Sequence, residues 1–518
     1  MSDASIGVPA SSTSRRPRYH GLSASGAVSH SGPSDSTGVS PARPSAPPAV
    51  AAAPVSSGGA PITRRAVRWL DQRSATAPYL RKALGYLFPD HWSFLLGEVA
   101  LYSFLVLVAT GIYLTFFFVD STREVVFQGT YYPPLDGQRM SEAYASVVHL
   151  SLAVRAGLLI RQTHHWAANV FIAAIVLHLF RIFFTGAYRK PRELTYWLGL
   201  TMLMLSLLEA YIGYSLVDDL MSGMGLVIGY SVGLSLPFVG QNLMNWLFDG
   251  MFPGSPKLWP RMYIAHVLIF PILIGLLLGV HLLLVAMRHH TQFRGKQAQT
   301  ERRIVGLPAW PGQTPRSLGL MVGTAGFLFL LGGLVQINPV WLWGPFHTYS
   351  STNGAQPDWY LGWLIGALRL VPSFDLTIGH YTLVPNPFWG GAAFPLIVFG
   401  FLYFWPWLER RFSGDQAFHN LLDRPRDAPV RTGIGVGVVS WVFLVFLAGS
   451  ADRVTVTFGI DYVSQIWVYR VIVWVLPVVF GLATWWTCKE LQASERVVAD
   501  RDRAEAEARL AHLHRGET

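Results

Sequence analysis

The sequence predicts an all-α polytopic membrane protein with eight transmembrane helices, and three observations predict it. Of the 518 residues, 51% are hydrophobic and 14% charged, against roughly 25% charged in soluble domains. Eight stretches come near the ~20 apolar residues that a bilayer crossing needs. They lie near 93–119, 164–187, 195–217, 262–287, 317–337, 391–408, 434–449 and 467–487. Lys and Arg also concentrate in alternate connections. One set includes Arg81 and Lys82 before the first span, Arg189, Lys190 and Arg192 after the second, Arg302 and Arg303 after the fourth, and Arg424 and Arg426 after the sixth. The opposite loops hold only Lys257, Arg261, Arg369 and Arg453. By the positive-inside rule the first set, and with it both termini, faces the cytoplasm. The net charge of +10 reflects those loops, so nucleic acid is not expected as a partner.

Four segments follow. Residues 1–60 are rich in Ser, Pro, Ala and Gly; they cannot bury enough apolar surface to offset their ordering entropy and read as a disordered tail. Residues 61–290 hold the first four spans, and 291–488 the last four. Residues 489–518 alternate acids and bases and read as a solvated helix. The loops at about 218–261 and 338–390 are long enough to be functional. The single cysteine, Cys488, excludes an intrachain disulfide framework and a cysteine-ligated iron–sulfur cluster.

The second span begins "LLIRQTHHWAANVFIAAIVLHLFR" (158–181) and carries three histidines. Ionisable side chains inside a membrane are costly and point to function. A helix turns about 100° and rises about 1.5 Å per residue. His164 and His178, 14 residues apart, therefore share a face about 21 Å apart in height. His165 falls about 140° away from His178. In the fourth span His266 and His281 are 15 residues apart, which gives an offset of about 60° and a rise of about 22 Å. Both helices run in the same direction. His164 thus meets the level of His266, and His178 that of His281.

Two stacked bis-histidine sites result. Zinc wants three or four protein ligands, and neither helix offers a carboxylate or thiol at those heights. A haem brings four nitrogens and needs only two axial imidazoles. Glycines support haem: Gly97 and Gly111 in the first span, and Gly199 and Gly213 in the third, repeat the 14-residue spacing. A missing side chain lets a flat macrocycle approach a helix. The first four spans are thus expected to form a di-haem four-helix bundle. Arg161 and Arg181 lie three residues from their nearest histidines and can reach propionates. Other readings of the histidines are a proton relay in a transporter or channel and a haem-bearing anchor for a dehydrogenase. Haem absorbance separates the first of these from the di-haem reading.

With these histidines and glycines, "FRIFFTGAYRKPRELTYW" after the second span and "QPDWYLGWLIGALRL" in the loop after the fifth, the chain resembles cytochrome b of the quinol–cytochrome c reductase family over roughly residues 80–490. The family's Pro-Glu-Trp-Tyr quinol-oxidation motif is matched by Pro357, Asp358, Trp359 and Tyr360, with Asp for Glu. The PDWY variant, long tails and unsplit chain look most like the actinobacterial branch, which uses menaquinol. The resemblance implies two non-covalent b haems, held by His164 and His266 on the outer side and by His178 and His281 on the inner. It also implies quinol oxidation near the outer face, with one electron going to a Rieske iron–sulfur subunit and the other through the haems to a quinone near the cytoplasmic face. Implied partners are that subunit, a cytochrome c subunit, a second copy of the chain in a dimer, cytochrome c oxidase in a supercomplex, and membrane lipids. The location implied is the bacterial plasma membrane.

Within the motif, Asp358 is the candidate proton acceptor, its pKa expected to be raised by desolvation; it could equally cap a helix. Tyr360 either hydrogen-bonds the quinol or packs beside Trp359. Many mitochondrial relatives place a quinone-binding histidine where Ala286 stands; His290, or its neighbour His289, takes its place here. Asp218 and Asp219 are expected to cap a surface helix.

Overall fold

The computed structural model describes residue Trp69 and residues 71–295, 297–350 and 356–514; the expected disordered tail at 1–60 lies outside them. Among these residues, eight helices are long and apolar enough to cross a membrane. They run Trp92–Thr115, Gly157–Phe184, Glu193–Ser215, Leu258–Arg288, Ala309–Leu334, Trp389–Ser413, Pro429–Ala448 and, within the long last helix, Tyr462–His512. In lipid every backbone polar group must be satisfied within the chain, which a helix achieves by itself. The first span is shorter than expected, the third equal in length, and the others longer.

The first four spans close into a ring: first on second, second on third, third on fourth, and fourth back on first. The fifth leans on the first and second. The seventh and eighth pack along each other, and helix Trp359–Leu370 packs against the seventh. The two long loops contain helices, Leu220–Leu234 and Gly240–Phe248 after the third span, and Trp359–Leu370 and a short hairpin after the fifth. Their apolar runs are too short to read as spans, and each buries part of its surface against neighbouring elements. The charged tail is helical, continuous with the eighth span as far as His514.

The fourth span contains one π-turn, Ala265–Ile269. Pro271 follows it. Proline has no N–H for the carbonyl one turn back and clashes with it, so the helix widens there. A π-turn absorbs one residue without advancing the helix. The 15-residue interval between His266 and His281 then behaves as 14, the interval in the second span. The offset of about 60° expected for a regular helix becomes about −40°, equal to that between His164 and His178.

Candidate functional site

Two cavities lie inside the four-helix ring. The smaller, about 280 Å³, is lined by His164 and His266 together with Gly111 and Gly213. The larger, about 590 Å³, is lined by His178 and His281 together with Gly97 and Gly199. Each expected histidine pair therefore shares a cavity with its expected glycine pair. The approach is close. A methyl group added at Gly213 would lie 2.3 Å from His266 Cε1, and one at Gly111 would lie 3.3 Å from His164 Cε1. The corresponding distances are 3.4 Å from Gly97 to His178 and 3.8 Å from Gly199 to His281.

The rings of His164 and His266 stand 6.2 Å apart between centroids. Two metal–imidazole bonds of about 2 Å plus two ring radii of about 1.2 Å give roughly 6.4 Å. Thr110 fixes the tautomer of His164. Its hydroxyl donates to the Val106 carbonyl at 2.6 Å and lies 2.9 Å from His164 Nδ1. A hydroxyl has one proton to give, so Nδ1–H donates to Thr110 and Nε2 keeps its lone pair for a metal. Glu209 Oε1 stands 2.9 Å from His266 Nδ1, but the approach is too oblique for a full hydrogen bond.

A family model described as cytochrome b (N-terminal)/b6/petB matches residues 169–345. The chain is 44% identical over 440 residues to the cytochrome bc1 complex cytochrome b subunit of Mycobacterium tuberculosis H37Rv, covering 85% of this chain and 79% of that protein. It is 41% identical over 442 residues to the subunit of the same name from Streptomyces coelicolor, covering 85% and 80%. The chain belongs to the cytochrome b family of bc1 complexes. It is thus a subunit of an oxidoreductase, quinol–cytochrome c reductase. A hyperthermophilic respiratory Complex III chain shares the fold, with a TM-score of 0.58 at 18% identity, over 81% of this chain and 99% of that one.

The family implies haem b, and the residues of this cytochrome b fit it. Arg161 lines the smaller cavity and Arg181 the larger. Each has a buried Nε without a partner, a donor suited to a propionate. Arg161 otherwise donates to the Asn338 carbonyl at 3.0 Å, and Arg181 sits 4.0 Å over the Phe94 ring. When bound, a b-type haem takes up and passes on one electron at a time.

The quinol motif meets the smaller cavity. Asp358 and Tyr360 line it; Pro357 and Trp359 do not. Trp359 is exposed and stands edge-on to Tyr360, 5.9 Å between centroids. Asp358 holds the N-cap position of helix Trp359–Leu370, but its side chain makes no capping bond. It turns instead to the second span, where both carboxylate oxygens lie 2.7–2.8 Å from His165 Nε2. Tyr360 donates its hydroxyl to Asp358 at 2.8 Å, and Asn169 lies 3.5 Å away. The expected upward pKa shift is therefore corrected. Burial alone would raise the carboxyl, but the approach of His165 and the hydrogen bonds from His165, Tyr360 and Asn169 outweigh it and hold Asp358 below the ordinary carboxylate range. Burial and the neighbouring Asp358 charge push the Tyr360 hydroxyl well up, so it stays a proton donor.

His289 and His290 both line the larger cavity, as does Ala286. His290 Nδ1 is 3.3 Å from the Tyr86 hydroxyl. Burial, then the charges of Arg181 and Arg192, lower His290 to about 4, so it is neutral at physiological pH. Arg192 donates to the carbonyls of Arg288 and His289, pinning the end of the fourth span. Asp219 caps helix Leu220–Leu234 in a capping box with Ser222. Asp218 lies beside it, buried, with φ at +59°.

Sequence reasoning missed three half-buried polar groups of these cavities. His165 was set aside because it faces away from His178. Glu209 and Glu98 are carboxylates inside apolar spans, the signal that would have found them.

Proposed function

We propose that this subunit holds two b haems and oxidises menaquinol by electron bifurcation. His164 and His266 hold the outer haem, and His178 and His281 the inner. Arg161 and Arg181 meet their propionates, and Gly97, Gly111, Gly199 and Gly213 give the macrocycles room. One observation carries the reading: two histidine pairs, each in its own cavity with its own glycine pair, the smaller cavity also lined by Asp358 and Tyr360.

Quinol binds beside Pro357, Asp358, Trp359 and Tyr360 near the outer face. Its oxidation releases protons. Asp358, held as a carboxylate, accepts one from the quinol hydroxyl. Tyr360 keeps its own proton and orients the Asp358 oxygens. Aspartate is one methylene shorter than the family glutamate, and its hydrogen bonds to His165 and Tyr360 fix its position. A Rieske iron–sulfur subunit takes one electron, and a quinone near the cytoplasmic face, beside His290, receives the other. A cytochrome c subunit, a second copy of the chain and cytochrome c oxidase complete the assembly in the bacterial plasma membrane, with both termini cytoplasmic. The long basic connections support that orientation.

The test is a dithionite-reduced minus oxidised spectrum with a redox titration on the purified complex. Two b haems with separable midpoints are expected. One haem would mean that one histidine level is misread; none, in folded protein, would sink the proposal.

A further inference from the structure

The larger cavity must do the opposite chemistry from the smaller one: a quinone reduced there takes up protons. That statement rests on the reading of this cavity as the inner quinone site. Its ionisable lining is mostly basic or neutral. Arg181 and Arg192 are cations, and His290 is neutral. One carboxylate lines it, Glu98 of the first span. It stands beside Gly97, on a span otherwise free of charge between Trp92 and Thr115. A carboxylate at that depth is costly unless it is paired or used. Among the described residues no cation pairs with it. Gln313 Nε2 donates to one oxygen at 3.1 Å, and Tyr102 donates its hydroxyl to the other at 3.2 Å. Gln313 is held in turn by Ser317 at 3.1 Å. Two neutral donors suit a carboxylate, and either oxygen can also carry a proton toward the cavity.

Water is near. Glu98 stands in the first turn of helix Leu95–Thr115, and exposed Asp90 and Arg316 form an ion pair beyond that end of the span. We infer that Glu98, positioned by Gln313 and Tyr102, is the acid that hands a proton to quinone in the larger cavity. Reduction converts two carbonyls to two hydroxyls. It consumes two electrons, delivered singly by reduced b-type haem, and two protons. The Glu98 carboxyl O–H breaks as an O–H forms on one quinone oxygen, and the carboxylate regains its proton from water at the Asp90–Arg316 mouth. The second proton comes from solvent. The other titratable and charged groups on this cavity are Tyr86, His178, Arg181, Tyr188, Arg192, Tyr196, His281, His289 and His290; Tyr102 faces Glu98 from its own helix.

The experiment uses the whole complex with the outer site blocked by an inhibitor, and follows b-haem reduction by a water-soluble naphthoquinol against pH. This runs the same proton transfer backwards. Glu98→Gln keeps the shape and one acceptor. It is expected to leave haem content and spectra unchanged, to slow this reduction by roughly 10²-fold, and to flatten its pH profile. Single-turnover quinol oxidation at the unblocked outer site should not change. A wild-type rate and pH profile in Glu98→Gln would overturn the inference. Should that variant lose haem, Glu98→Asp is read in the same assay: slowed exchange with a shifted pH profile supports the role, and an unchanged rate overturns it. Ala286→Trp, which fills the cavity, must block the exchange with Glu98 intact. If it does not, the reading of the cavity fails and the role of Glu98 falls with it.

Discussion

The smaller cavity, about 280 Å³, and the larger one, about 590 Å³, both set two histidines against two glycines, yet their other polar groups differ. In the smaller, an aspartate from a surface helix is clamped by a histidine and a tyrosine. In the larger, two arginines and a neutral histidine line the same cavity as one glutamate, which is held only by Gln313 and Tyr102. The first arrangement stabilises a carboxylate, the group proposed above as the proton acceptor. The second gathers positive charge, which favours the electron-rich oxygens of a quinone being reduced, and keeps its acid free of cations. On the two proposals above, a repeated scaffold carries two proton chemistries of opposite sign, set by a few side chains outside the repeat.

The sharpest way to break this comparison is to remove one level. His281→Leu leaves the smaller cavity untouched. It is expected to halve the haem-to-protein ratio and abolish one of two midpoints, read by pyridine haemochrome and redox titration. Loss of both haems would show that the two levels are not independent.

A smaller effect sharpens the description of the Asp358 clamp. Asp358→Ala should keep both haem spectra and slow quinol oxidation by roughly 10²-fold or more. In the unmodified protein the carboxyl is held below its ordinary range, so oxidation should fall off only at acid pH, where Asp358 takes up a proton. His165→Gln removes the main group that offsets burial. The Asp358 pKa should then rise, and the acid limb of the pH–rate profile should move to higher pH. An acid limb that stays in place would mean that another group sets it.

The bundle and its levels were legible in the sequence because helix periodicity converts spacing into direction. His164, His178 and the four glycines needed only 100° per residue. His266 and His281 carried a residual mismatch, and the cause, a π-turn before Pro271, depends on local backbone that spacing does not report. The motif at Pro357–Tyr360 was legible only through resemblance. What Asp358 touches was not: His165 lies 193 residues away in sequence, and a contact between a loop and a span leaves no periodic trace. The same holds for Glu98 and Gln313. The capping role of Asp219 was legible, since an N-cap is a local affair of three residues.

That cap offers the smallest and most local test. Asp219 Oδ1 accepts from the Ser222 backbone N–H at 2.8 Å, while its other oxygen is buried without a partner. Burial raises the carboxyl from 3.8 to about 6, against the Ser222 hydrogen bonds and the charge of Arg161. An acid whose folded pKa is raised binds its proton more tightly when folded, so this group's contribution to stability is lost as pH rises from about 4 to about 6. Asp219→Ala loses the cap and should cost about 1 kcal/mol. Asp219→Asn keeps a capping oxygen and removes the charge. It should therefore be the milder change near neutral pH and should flatten the thermal-stability profile between pH 4 and about 6. The remaining slope, up to about pH 7, belongs to Asp218, which burial raises to about 7. If Asp219→Asn leaves the lower part of the slope intact, the buried charge at this cap is already neutralised in the folded protein, and Arg161 is the group to examine next. That result would bear on the first comparison too, because Arg161 would then be committed to Asp219 and less free to meet a propionate in the smaller cavity.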